Sequence, residues 1–113
     1  MIKLWHNPRC SKSRAALALL EAQGVSLTVR RYLDDAPDVA ELRRVQALLQ
    51  RPVIDMMRTG EPAFKAAGLT RDTDEATLLA AMAAHPILIE RPIAMTQTRA
   101  ALGRPPEDVL TLL

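Results

Sequence analysis

The sequence predicts an α/β fold: a four-stranded mixed sheet flanked by helices, with a helical insertion between a β-α-β half and a β-β-α half. Three observations predict it. Two short apolar stretches flank a helix-forming run within about the first thirty residues, the pattern of a βαβ unit with parallel strands. Two further apolar stretches sit close together near the end, spaced as a hairpin. Between them, helical spacing of apolar residues recurs with caps and breakers.

The first strand is Lys3 to Trp5, preceded by Ile2 and stopped by the Asn7-Pro8 turn signal. A helix follows through Ala15–Leu20, with Ser11 or Ser13 as its N-cap and Gly24 closing it. Val25 to Tyr32 alternates loosely as a second strand. After the Asp34-Asp35-Ala36-Pro37 turn, Asp38 and Glu41 form a capping-box pattern. They open a helix whose face is Val39, Leu42, Val45 and Leu49, stopped by Pro52. Val53 to Leu69 reads as short helical pieces broken at Gly60, Pro62 and Gly68. Asp72 with Glu75 is the expected cap of the next helix, through Leu78, Leu79 and Met82 to about Ala84. His85-Pro86 ends it, because a residue before proline disfavours the α region. Ile93–Met95 is the third strand and Thr98–Leu102 the fourth. A turn at Gly103-Arg104-Pro105 leads into a last short helix from Pro106 to Leu113, with Val109, Leu110 and Leu113 expected inward. This order is that of a thioredoxin-like fold, one domain over residues 1–113 with a helical insertion at about 38–84.

Composition narrows the function classes. The 113 residues allow one core, and a chain of this size buries roughly two-thirds of its unfolded surface without needing disulfides or metal. One cysteine, Cys10, excludes an internal disulfide, and with only two histidines no structural metal site is expected. No signal peptide and no membrane segment are read, so a cytoplasmic location is expected. Fifteen basic against thirteen acidic residues leave a net charge of +2, too small a surplus to argue for nucleic acid or membrane. A monomer is expected. Twelve of the fifteen cations are Arg, whose planar fork of donors matches oxyanions; the positions of individual arginines therefore matter more than their sum.

The chemistry concentrates in His6-Asn7-Pro8-Arg9-Cys10-Ser11-Lys12-Ser13-Arg14. Cys10 lies between a strand end and a helix start, where unpaired backbone N–H groups favour an anion and so a thiolate. Arg9, Lys12 and Arg14 add positive field, and His6, four residues before the cysteine, adds more if protonated. A phosphatase loop needs five residues between cysteine and arginine, whereas three separate Cys10 from Arg14. Ser13 stands where a Cys-x-x-Cys redox pair would have its second thiol. If Cys10 is oxidised, another molecule must supply the resolving thiol.

This loop resembles the active-site loop of the glutaredoxin-linked arsenate reductase family, in the subgroup with the string Asn-Pro-Arg-Cys-Ser-Lys-Ser-Arg. Three further segments carry the resemblance along the chain: Met57-Arg58-Thr59-Gly60-Glu61, His85-Pro86-Ile87-Leu88-Ile89-Glu90-Arg91-Pro92-Ile93, and Gly103-Arg104-Pro105-Pro106-Glu107. It implies that Cys10 is the catalytic nucleophile and His6 the residue that lowers its pKa. It implies that Arg58, Arg91 and Arg104 hold the oxyanion, and that Pro92 is a cis-proline beside the site. Asn7, Arg9, Ser11, Lys12, Ser13 and Arg14 support the loop. The implied activity is reduction of arsenate to arsenite with no bound cofactor, glutathione as reductant and glutaredoxin as partner. Two alternatives stand beside it: a glutathione-dependent thiol oxidoreductase or oxidant sensor with another substrate, and, ranked last, an RNA-polymerase-binding regulator of the same wider family, whose Cys-x-x-Cys switch is removed here by Ser13.

Overall fold

A computed structural model describes all residues, 1–113. The chain forms two compact units, residues 1–35 with 91–113, and residues 36–90.

The first unit is built on a sheet of strands β1 (Ile2–Trp5), β2 (Leu27–Arg30), β3 (Ile93–Met95) and β4 (Ala100–Leu102) in the order β2-β1-β3-β4. As expected, β1 and β2 are parallel, with Leu4 opposite Val29. The other pairs are antiparallel: Leu4 faces Ala94, and Ala94 faces Ala101. Helix α1 (Ser11–Ala22) makes the β1–β2 crossover and ends at Gln23, followed by Gly24 at φ +67°, a conformation that costs glycine little. Alternation along β1 sends Ile2 and Leu4 to one face, where they pack with Ala16 and Leu20 of α1, Ala94, and Val109 and Leu112 of the terminal segment. Each of the Ile, Leu and Val side chains among them contributes about 1.5–3 kcal/mol by leaving water.

The terminal segment differs from expectation. Pro106–Leu112 winds as a 3-10 helix, in which residues three apart eclipse. Val109 and Leu112 therefore share the inward line, Leu110 is half-buried, and Leu113 is 53% exposed. The strands are also shorter than expected: β2 covers four residues and β4 three.

The second unit is helical. Helix α2 (Val39–Leu49) starts with the Asp38–Glu41 capping box read from the sequence: Asp38 Oδ1 accepts from the Glu41 N–H at 2.8 Å, and Glu41 Oε1 accepts from the Asp38 N–H at 3.2 Å. A 3-10 turn at Val53–Met56 and the short α3 (Pro62–Ala66) lead to α4 (Glu75–Ala84). The cap of α4 is Asp74 rather than Asp72; its carboxylate accepts from the Thr77 N–H and hydroxyl. Glu75 instead reaches the Val53 N–H at 3.1 Å and ties α4 to the preceding turn. A second 3-10 turn, Pro86–Leu88, follows, and residues 57 and 89 form an isolated antiparallel bridge. Leu42, Val45, Met56, Leu78, Leu79, Met82 and Leu88 are the buried apolar residues of these elements, with Val53 and Phe64. No helix is long and apolar enough to cross a membrane.

Candidate active site

Strand β1 delivers the site. Pairing continues past its end, with the His6 N–H donating to the Arg30 carbonyl at 2.8 Å. The chain then turns sharply: the Cys10 N–H returns to the Asn7 carbonyl at 3.0 Å, and the Asn7 side chain accepts from the Arg9 N–H at 3.0 Å. Cys10 stays extended (φ −95°, ψ 123°) as the N-cap of α1, and its carbonyl takes the first helical bond, from the Arg14 N–H. Neither Ser11 nor Ser13 caps the helix, and no side-chain oxygen caps it at all. The orphan amides of the first turn are left for the sulfur.

Cys10 is half-buried. Burial pushes its thiol pKa up, but the backbone N–H groups of Ser13 and Lys12, and the charge and hydrogen bond of the Arg91 guanidinium, outweigh burial and hold it below the ordinary value. All these stabilise the thiolate, the form that attacks electrophiles and disulfides. We expect iodoacetamide alkylation against pH to titrate Cys10 below the ~8.5 of a free thiol; a midpoint at or above that value contradicts the assignment.

Ser13 and His6 form the buried floor of the loop. Ser13 is fully buried; its Oγ accepts from the Asn7 N–H at 3.0 Å and lies 2.6 Å from His6 Nδ1. His6 is 5% exposed. Burial, then the charges of Arg31 and Arg14, lower its pKa, with Glu21 opposing. This direction favours the neutral imidazole near pH 7, so the condition for His6 to add positive charge beside the thiol is disfavoured. Its ring contacts Ser13, the residue whose backbone N–H is directed at the sulfur.

The sign of the pH dependence follows. The unfolded chain takes up a proton on His6 below ~6.5 before the folded one does. The His6 contribution to stability is thus complete above that pH and lost as pH falls toward the lower folded-state value. Urea midpoints of the wild type are expected to fall across this window more steeply than those of His6→Gln; parallel curves contradict it.

Three more predicted residues lie in this unit. Arg91 is half-buried and faces the thiol. Arg91–Pro92 is a cis peptide, as is Arg104–Pro105. Arg104 is exposed and donates from Nη1 to the Arg91 carbonyl at 3.2 Å. Around the thiol, Arg9, Ser11, Lys12 and Arg14 are exposed, and Arg14 Nη1 holds the Pro8 carbonyl at 3.0 Å. Arg58 belongs to the second unit, where its N–H donates to the Leu88 carbonyl at 2.8 Å and its guanidinium pairs with Glu61 at 3.1 Å. No cluster of His, Cys, Asp or Glu is arranged to hold a metal ion. Two residues were not singled out from the sequence. Arg31 reaches the site because parallel pairing brings the end of β2 beside His6, a long-range effect with no local signal. Gly103 carries no side chain to mark it beyond the turn and the matching segment, yet its backbone lies against the Pro92 ring.

The ArsC family model matches residues 5–112. An arsenate reductase of Neisseria meningitidis is 46% identical over 99% of this chain and 97% of its own. One of Haemophilus influenzae is 42% identical over 97% of each chain. Among solved structures, an arsenate reductase from Vibrio cholerae superimposes with a TM-score of 0.94 at 46% identity, covering 99% of this chain and 97% of that one.

Proposed function

Because the chain belongs to the ArsC family, we propose that it is an oxidoreductase reducing arsenate to arsenite through a covalent adduct on Cys10, with glutathione and glutaredoxin as electron donors in the cytoplasm. The observation that carries this reading is the Cys10 sulfur at the start of α1, with two backbone N–H groups and the Arg91 guanidinium directed at it. One array serves two tasks: it keeps the nucleophile ionised and offers donors to an oxyanion beside it.

In the proposed sequence the Cys10 thiolate attacks arsenic, forming an S–As bond, and an arsenate oxygen leaves as water. The thiolate of glutathione then attacks the Cys10 sulfur. The S–As pair passes to arsenic, reducing As(V) to As(III), and arsenite departs from a Cys10–glutathione disulfide. A glutaredoxin thiolate takes the glutathione moiety and frees Cys10. Two thiols supply the two electrons. The second has to come from outside because the chain has no other cysteine. Arg91 and Arg104 are the proposed oxyanion donors of the first unit; Arg58 is assigned the same role from its sequence position. No metal or bound cofactor is required by these steps.

The test is arsenate-dependent NADPH oxidation in a mixture of glutathione, glutathione reductase and glutaredoxin. Turnover that requires all three and arsenate supports the reading. If oxidation is no faster than with Cys10→Ser, the reading fails. Glutathionylation of Cys10 by oxidised glutathione without arsenate turnover favours instead a thiol oxidoreductase or sensor. The specific observation behind that second reading is the same: one activated thiol, and Ser13 in place of an internal partner.

A further inference from the structure

We propose that Gly103 and Arg104 are positioning residues: together they fix the backbone of Arg91–Pro92 and so aim the Arg91 guanidinium at Cys10. The two residues directly follow β4 and hold two consecutive carbonyls. The Gly103 N–H donates to the Pro92 carbonyl at 2.8 Å, and Arg104 Nη1 donates to the Arg91 carbonyl at 3.2 Å. This grip continues the β3–β4 pairing, where Ile93 faces Leu102, one step beyond the sheet.

Gly103 is required by proximity. It is buried, and a Cβ placed on it would lie 2.5 Å from Pro92 Cγ and 3.1 Å from Pro92 Cδ, with Val109 Cγ1 3.1 Å away on another side. A pyrrolidine ring is closed and cannot swing aside as a flexible side chain does. Any side chain at 103 therefore forces the two segments apart, displacing the residue that carries the guanidinium. The hydrogen bond from Arg91 to the sulfur is directional and weakens with small changes of distance and angle.

The inference deepens the proposed function, because it concerns the same thiolate, yet its test needs no arsenate. Cys10 alkylation is titrated against pH in the wild type, Gly103→Ala, Arg91→Gln and the double variant. The expected result is that Gly103→Ala raises the thiol pKa in the presence of Arg91 and leaves it unchanged in the Arg91→Gln background. Equal shifts in both backgrounds, or none in the first, overturn the proposal, since a general loosening of the loop acts whether or not Arg91 is there. Circular dichroism melts establish which variants fold. If Gly103→Ala does not, Arg104→Gln replaces it in the same cycle. The proposal then demands a larger shift of the thiol where Arg91 is present than where it is absent, and equal shifts overturn it. Arsenate turnover is read separately, so its failure leaves this result standing and the converse also holds.

Discussion

Cys10→Ser is expected to lower arsenate-dependent NADPH oxidation by about a thousandfold or more while the protein stays folded. Removing a covalent nucleophile costs on the order of 10³–10⁶ in rate, because the remaining groups still bind but nothing forms the adduct. Here the loss should be complete, since no second thiol exists to substitute. The stability change should be within about 0.5 kcal/mol, because the side chain is half-exposed and makes no cap bond of its own. A thermal melt beside the coupled assay separates the two effects. Activity surviving in Cys10→Ser would remove the sulfur from the mechanism.

Arg91→Gln should have the next largest effect, a fall of about 10²–10³ in kcat/KM, the usual size for deleting one preorganised donor at a developing charge. Two causes act together. The thiol loses a charge and a hydrogen bond, so its pKa rises and less thiolate is present at neutral pH. The oxyanion loses a planar fork of donors. A pH–rate profile distinguishes them: the thiolate part of the loss recovers as pH is raised, and the donor part persists. Arg91→Lys should recover some thiolate but little of the oxyanion binding, because a point charge lacks the bidentate geometry. A full recovery by lysine contradicts the assigned role.

Much of the fold was legible because the sequence signals were local. The Ile93–Met95 strand, the Asp38–Glu41 box and the stop at Pro52 each depend on neighbouring residues. The structure departs from the local sequence pattern where two local answers compete. Asp72 and Asp74 both precede the fourth helix, and only the hydrogen bonds to Thr77 identify the cap. Ser11 and Ser13 have the composition of caps, but the Ser13 hydroxyl turns inward to His6 and Asn7. That inward turn leaves its amide for the sulfur.

The site divides in the same way. The position of Cys10 before a helix was readable from the order of strand, turn and helix. The charge of His6 was not, because it depends on burial and on Arg31, a residue 25 positions away brought in by parallel pairing. The role of Gly103 was hidden for a related reason. A glycine in a turn normally signals a special backbone angle, whereas this one answers to the ring of Pro92, eleven residues earlier.

In the proposed reaction Cys10 passes from an arsenic adduct to a glutathione disulfide. Intact-protein mass spectrometry after a single turnover with arsenate and reduced glutathione, without glutaredoxin, tests it most directly. One bound glutathione, mapped to Cys10, is expected, forming only when arsenate is present and released on adding glutaredoxin. Unmodified Cys10, or the same disulfide formed equally without arsenate, contradicts it.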